Sequence, residues 1–170
     1  ITDFERISDY TKGIAFAQKK LYDRMEEAHS RKTFSKEATA EARLIYDAAL
    51  EIVECTVSGF IHGDKEMVFR IDPLADVISR LKRDIRKNHS RRLEQGKCSV
   101  ELGMALTDMA TSLERIAKHC SNIAEGQMAS ETDQHALHQY ARNIKEKNGL
   151  YKELLEEYTE KYSLEKLEKT

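Results

Sequence analysis

Carboxylates spaced by one helical turn are the residues of this sequence whose types and positions could do chemistry. Glu5 and Asp9 are four positions apart, so both side chains share one face of a helix. Asp47 and Glu51 repeat that spacing, and Glu114 could face them from a later helix. Adjacent carboxylates repel one another unless a cation lies between them, and iron and other hard divalent cations accept such ligands. The pattern makes these five residues candidate metal ligands; the other interpretation is a solvated acidic face, which is the usual state of charged helix surfaces.

A basic run forms the second candidate surface. Arg80, Arg83, Arg86 and Lys87 crowd one predicted helix. Long charged side chains commonly coat a helix and pair with acidic neighbours, which is one interpretation. The other is contact with anionic lipid headgroups or with the acidic surface of a partner protein.

Other nucleophilic and metal-binding types show no catalytic pattern. The three cysteines, Cys55, Cys98 and Cys120, form no C-x-x-C pair and are odd in number, which argues against a disulfide framework or a zinc site. Cys98 precedes a helix start, which favours a thiolate, but the sequence places no histidine to activate it. A lone His119 is expected to be structural, and a di-iron enzyme would need Glu-x-x-His pairs in a core whose seams here are apolar. We therefore predict that the protein is not an enzyme.

Composition limits the class of protein that carries these groups. Of the 170 residues, 40% are hydrophobic and 34% are charged, with one proline and seven glycines, which favours helices. A formal net charge of -2 lacks the basic excess typical of a nucleic-acid binder. No apolar run has the length of a membrane span. The chain begins without Met, and we expect it to be a fragment of a longer protein, as its C-terminal cytoplasmic part.

Apolar residues at steps of three and four predict an all-α protein of about five long helices. Their approximate ranges are 2–29, 36–61, 65–94, 100–129 and 133–162, with Ser35 and Ser99 as caps and a break near 148–149 in the last. The second helix has two apolar stripes, which predicts two neighbours. Pro73 should kink the third helix or mark a restart at Asp72. Short connections predict antiparallel packing.

The first and fourth helices form an internal repeat at an offset of 109 residues. Six identities recur, including Glu and Arg positions that lie off the apolar seam. They pair Thr2, Glu5, Arg6, Ile7, Ile14 and Ala15 with Thr111, Glu114, Arg115, Ile116, Ile123 and Ala124. Two related helices imply two related bundles.

Residues 3–10 (DFERISDY) and 13–15 (GIA) resemble the signature of the PhoU-like domain family, in which a carboxylate and an Asp four apart precede Asn-Ile-Ala. Residues 112–119 (SLERIAKH) and 122–125 (NIAE) are similar to its second copy. Gly13 replaces the family's Asn in the first copy, and Lys118 replaces its Asp in the second. An ammonium at Lys118 could stand in for metal charge there. Residues 88–99 and 156–164 resemble one subgroup, the cytoplasmic C-terminal domain of bacterial sodium/phosphate cotransporters.

The resemblance implies three-helix bundles with metal, often iron, on their surfaces, and regulation of phosphate transport without catalysis. It divides the chain into 1–30, the last helix of a first bundle; 35–130, a second bundle; and 131–170, a helix packed on it. It implies a transporter membrane domain as partner, in the same polypeptide, at the inner face of the cell membrane. A homodimer could complete the first bundle. The alternative function is a structural oligomerisation module without metal.

Overall fold

The computed structural model describes residues 2–27, 33–131 and 149–164, which form five α-helices. These are α1 (Thr2–Glu27), α2 (Lys36–His62), α3 (Lys65–Glu94), α4 (Val100–Glu131) and α5 (Gly149–Lys161). The described ranges contain no strand, which confirms the predicted all-α class. The first half of the predicted last helix, with His135 and His138, lies outside the described residues.

Capping residues mark the starts and ends of the helices close to the predicted positions. The Ser35 hydroxyl accepts a hydrogen bond from the Ala38 amide at 3.2 Å at the start of α2, and Ser99 begins α4 in the same way. Gly63 ends α2 with φ of 65°, a left-handed conformation that favours glycine, and Asp64 then caps α3. The two-residue turn sends α3 back along α2.

The bundle consists of α2, α3 and α4, which pack against one another. Short connections make α2 and α3 antiparallel, and likewise α3 and α4, so α4 runs parallel to α2. Helix α3 continues through Pro73, and no restart occurs at Asp72. The apolar seams fill the core with fully buried side chains, among them Ile45, Ile52, Ile71, Leu74, Ile78, Ile85, Leu106 and Cys120.

Helices α1 and α5 pack on the outside of this bundle, each against a different helix. Helix α1 packs along α4, and α5 packs along α3. On α5, Tyr151, Leu154 and Tyr158 are buried, whereas Leu150 is 43% exposed. Tyr151, and not Leu150, therefore lies on the side of α5 that faces the bundle.

The second apolar stripe of α2 is largely uncovered by the described residues. Tyr46, Leu50, Val57 and Phe60 are all exposed, and Val53 between them is partly buried. Helix α2 does have two neighbours, α3 and α4, as predicted, but none of the described helices covers most of this stripe, because α1 packs mainly on α4. Among the described residues, the end of the stripe is covered by α1, where the ring of Phe4 contacts that of Phe60 edge-on, with ring centroids 5.0 Å apart. None of the described helices has the length and apolar character needed to cross a membrane.

Candidate metal-binding and partner-binding surfaces

Glu5 and Asp9 lie one turn apart on α1, and both side chains are exposed to solvent. Among the described residues, no set of three or more His, Cys, Asp and Glu side chains is grouped to hold a metal ion. The pair supplies the oxygen donors that iron and other hard cations prefer, but only part of a coordination shell.

A polar contact that the sequence did not predict joins α1 to α4 beside this pair. His119 Nδ1 lies 2.9 Å from Asp3 Oδ1, and the side-chain amide of Asn122 donates to the same oxygen at 3.2 Å. Hydrogen bonds from His119 and then Asn122 lower the pKa of the Asp3 carboxyl. His119 thus holds α1 against α4, as a structural histidine was expected to do.

Equivalent positions of the internal repeat meet at the contact between α1 and α4. Tyr10 and His119 occupy the same place in the two copies, and their rings stack with centroids 5.7 Å apart. Arg115 donates to the Tyr10 hydroxyl at 3.3 Å, and farther along Gln18 Nε2 lies 3.8 Å from Met109 Sδ. The contacts run in opposite order along the two helices, so α1 and α4 are antiparallel, with the equivalent residues Tyr10 and His119 in contact.

Glu114, the repeat partner of Glu5, is buried and already bound to cations. Its carboxylate accepts a hydrogen bond from Lys82 Nζ at 2.7 Å, and Lys118 Nζ lies at 3.8 Å. Burial by itself would raise the pKa of Glu114, but the Lys82 hydrogen bond and the charges of both lysines outweigh it, and the net shift is downward. With two ammonium groups on one carboxylate, this position does not fit an added metal ion.

The predicted carboxylates of α2 have separate environments. Glu51 is partly buried and accepts hydrogen bonds from Lys161 Nζ at 2.8 Å and from the Tyr162 hydroxyl, at the end of α5. Asp47, one turn earlier, is exposed. Glu51 therefore binds the last helix, while Glu114 binds α3, and the structure does not gather these three carboxylates into a metal-binding group.

The basic run of α3 divides into paired and exposed members. Lys82 turns to Glu114, and Arg92 forms a two-pronged ion pair with buried Glu41 at 2.9 and 2.6 Å. The remaining side chains project into solvent; they include all four predicted surface residues, Arg80, Arg83, Arg86 and Lys87. The exposed set is thus available for a partner, while its neighbours stabilise the bundle.

A second contact missed by the sequence analysis involves Cys98. Its Sγ lies 3.4 Å from Nδ1 of His89, near the C-terminal end of α3. The expectation that no histidine is placed to act on Cys98 was wrong. The nine-residue separation spans the turn between α3 and α4, so only the chain reversal at Gly96 brings the two together.

Comparisons with known proteins agree with this architecture. The family profile described as "PhoU domain" matches residues 42–126, which are 85 of the 170 residues and cover most of α2–α4. The chain is 28% identical over 130 residues to the "Phosphate-specific transport system accessory protein PhoU homolog 1" of Thermotoga maritima. That alignment covers 76% of this chain and 53% of the relative, so the chain spans about half the relative's length. No solved structure matches the chain.

Proposed function

The chain belongs to the PhoU domain family, and from this premise we propose that it is a non-catalytic accessory domain that regulates phosphate transport. The observation that carries the proposal is the family match across the α2–α4 bundle, together with a relative named as an accessory protein of phosphate-specific transport. A structural module without metal is the alternative. Both are binding roles, and the apolar core and ion-paired Glu51 and Glu114 support a function located on the surface.

The metal site of this proposal is the carboxylate pair of α1. Glu5 and Asp9 keep the family spacing and face solvent, whereas the equivalent positions on α4 hold Glu114 and Lys118 in an ion pair. An iron or similar divalent ion would bind the α1 oxygens and take its other ligands from another helix or molecule. Asp47 remains an exposed candidate for an additional ligand.

Metal content tests this site. The protein is incubated anaerobically with ferrous iron, desalted and analysed by mass spectrometry, alone and as the Glu5→Gln, Asp9→Asn variant. A matched control is Asp23→Asn, Glu26→Gln, two other exposed acids of α1. We expect bound metal in the unmodified and control proteins and its loss in the first variant. Absence of metal from all three would favour the structural alternative.

The partner we propose is a phosphate transporter membrane domain, belonging to the same polypeptide as in sodium/phosphate cotransporters, at the cytoplasmic face of the membrane. A cluster of four exposed cations on α3 supports this, because clustered basic side chains bind anionic headgroups or acidic protein surfaces. They are Arg80, Arg83, Arg86 and Lys87.

Vesicle binding separates the two kinds of contact. If lipid is the target, replacing Arg80, Arg83, Arg86 and Lys87 by Gln should abolish sedimentation of the protein with vesicles that contain anionic phosphatidylglycerol. The matched control replaces four other exposed lysines by Gln: Lys12, Lys19, Lys20 and Lys152. Binding that is equal for both variants would contradict a lipid contact by α3.

Phosphate uptake tests the regulatory role itself. The chain is expressed with a transporter in bacteria that lack their own member of the family, and uptake of radiolabelled phosphate is measured. We expect a change in uptake rate that the α3 four-cation variant diminishes. Uptake that is identical with and without the chain would overturn the regulatory proposal, whatever the metal content.

A further inference from the structure

Cys98 and His89 form a thiol–imidazole pair at the turn between α3 and α4. The Cys98 Sγ lies 3.4 Å from His89 Nδ1 and 3.9 Å from the His89 carbonyl oxygen. The Cys98 side chain is partly exposed, immediately before Ser99 caps α4. A nucleophile and a proton acceptor within reach of each other are the first requirement of an activated thiol.

Gly103 creates the space that holds the histidine in place. A Cβ atom at residue 103 would lie 1.7 Å from His89 Cε1 and 1.8 Å from Nε2. The imidazole ring therefore occupies the volume that any other residue would need for its side chain. The position of His89 beside Cys98 depends on a glycine one turn into α4.

Two cationic side chains share a cleft with the sulfur. The backbone amides at the start of α4 follow Cys98 directly, and a helix N-terminus favours negative charge. Arg92 and Lys97 line the same cleft, which has a volume of about 20 Å³. The cleft can thus admit a small reagent beside the sulfur.

The other two cysteines provide internal controls. Cys55 and Cys120 are buried, and burial raises the pKa of both thiols, that of Cys120 to about 11. Buried, protonated thiols react slowly. Of the three cysteines, Cys98 alone combines partial exposure, a neighbouring imidazole and nearby cations.

We propose that Cys98 is a site of reversible oxidation by small hydroperoxides, with His89 as its proton acceptor. His89 takes the thiol proton, and the thiolate attacks one peroxide oxygen as the O–O bond breaks. Sulfur is oxidised to sulfenic acid, the peroxide is reduced to an alcohol or water, and the proton returns from His89 to the departing oxygen. A low-molecular-weight thiol then condenses with the sulfenic acid, releasing water and leaving a mixed disulfide that further thiol reduces. This inference does not depend on the role in phosphate transport.

Oxidation rates of the whole chain test the pair. The protein is treated with hydrogen peroxide, sulfenic acid is trapped with a 1,3-diketone, and the modified peptide is quantified by mass spectrometry. We expect Cys98 to be labelled first and Cys98→Ser to show no fast phase. His89→Gln and Gly103→Ala should each slow the labelling of Cys98 by about tenfold, since one removes the imidazole and the other displaces it. Gly126→Ala, an open glycine of the same helix, should have no effect.

Two results would overturn the proposal. One is preferential labelling of Cys55 or Cys120 in the folded protein. The other is an unchanged Cys98 rate in both Gly103→Ala and His89→Gln. Circular dichroism identifies a variant that fails to fold. In that case the labelling rate of Cys98 in the unmodified protein is compared with that of the same cysteine in an unstructured peptide of residues 95–101. Equal rates would refute activation of the thiol.

Discussion

At the scale of single residues, the two copies of the repeat use the same glutamate differently. Glu5 is exposed on α1, whereas Glu114 is buried and bound by Lys82 and Lys118. The sequence directed attention to Lys118, which replaces the family's Asp. The structure places Lys82 closer, because the carboxylate points towards α3. A buried carboxylate needs such a partner, since an unpaired buried charge is costly.

The first prediction concerns metal at this second position. Lys118→Asp alone should not create a metal site, because Lys82 still neutralises Glu114 at 2.7 Å. Lys82→Gln combined with Lys118→Asp leaves two carboxylates one turn apart, and we expect ferrous iron bound per chain to rise above that of the unmodified protein. Mass spectrometry after desalting measures it, and an equal gain from Lys118→Asp alone would show that Lys82 is not the controlling cation.

The second prediction concerns the close approach of α2 and α3. A Cβ atom at Gly59 would lie 2.8 Å from Val68 Cγ2, so an added methyl group must force the helices apart. We expect Gly59→Ala to lower the free energy of unfolding by about 1–3 kcal/mol in urea titrations. Gly126→Ala, where the added atom meets nothing within 4 Å, should instead raise it by up to about 1 kcal/mol. Equal effects of the two substitutions would mean that helix propensity, and not the contact with Val68, determines the change in stability.

At the scale of helices, the sequence predicted which helices form and where they end better than which helices pack against each other. Caps such as Ser35 and Asp64 act locally, so their hydrogen bonds follow from a few adjacent residues. The face that α5 presents to α3 depends instead on distant partners. The Tyr151 hydroxyl donates to Asp76 at 2.5 Å, a contact across 75 positions that periodicity does not encode. The same limit hid the contact of Cys98 with His89, which depends on the geometry of a turn.

Helix α5 provides the third prediction, because tyrosines attach it. Burial raises the pKa of Tyr151, Tyr158 and Tyr162, that of Tyr158 to about 12, and carboxylates beside Tyr151 and Tyr162 add to the shift. A folded-state pKa above the unfolded value of about 10 makes the stabilisation complete below that pH and progressively lost as pH rises through the folded pKa. We expect α5 to detach between about pH 10 and about pH 12, with ultraviolet absorbance reporting tyrosinate.

Replacing the three tyrosines by phenylalanine distinguishes this cause from general alkaline unfolding. The triple variant keeps the rings but loses the ionisable hydroxyls. It should lose the alkaline step in helix content, and each lost hydrogen bond should reduce stability at neutral pH by about 1 kcal/mol. An alkaline transition at the same pH in the variant would place the titrating group elsewhere.

At the scale of the whole molecule, the two repeat-related helices have unequal surroundings. Helix α4 is covered by α1 on one side and by α2 and α3 on the others, so Glu114 and Ala124 are buried. Their repeat partners Glu5 and Ala15 are exposed, because among the described helices α1 packs mainly on α4. The same repeated sequence therefore faces a packed interior on α4 and solvent on α1.

The exposed stripe of α2 carries the fourth prediction, which tests the proposed homodimer. Tyr46, Leu50, Val57 and Phe60 are exposed apolar side chains spaced along one stripe of α2, and exposed apolar surface commonly marks protein interfaces. We expect sedimentation velocity to show concentration-dependent dimers that Leu50→Glu, Val57→Glu abolishes, since two charges cannot be buried unpaired in an interface.

The matched control is Leu93→Glu, Leu150→Glu, which places the same charges at two exposed leucines outside the stripe. If the stripe forms the dimer interface, this control should sediment like the unmodified protein, and only the α2 variant should remain monomeric. Equal loss of dimers in both variants would reflect net charge and not the stripe. A monomer at all concentrations would contradict the homodimer. The next partner to test, by co-expression, would then be the transporter domain, with which the stripe would form an apolar contact.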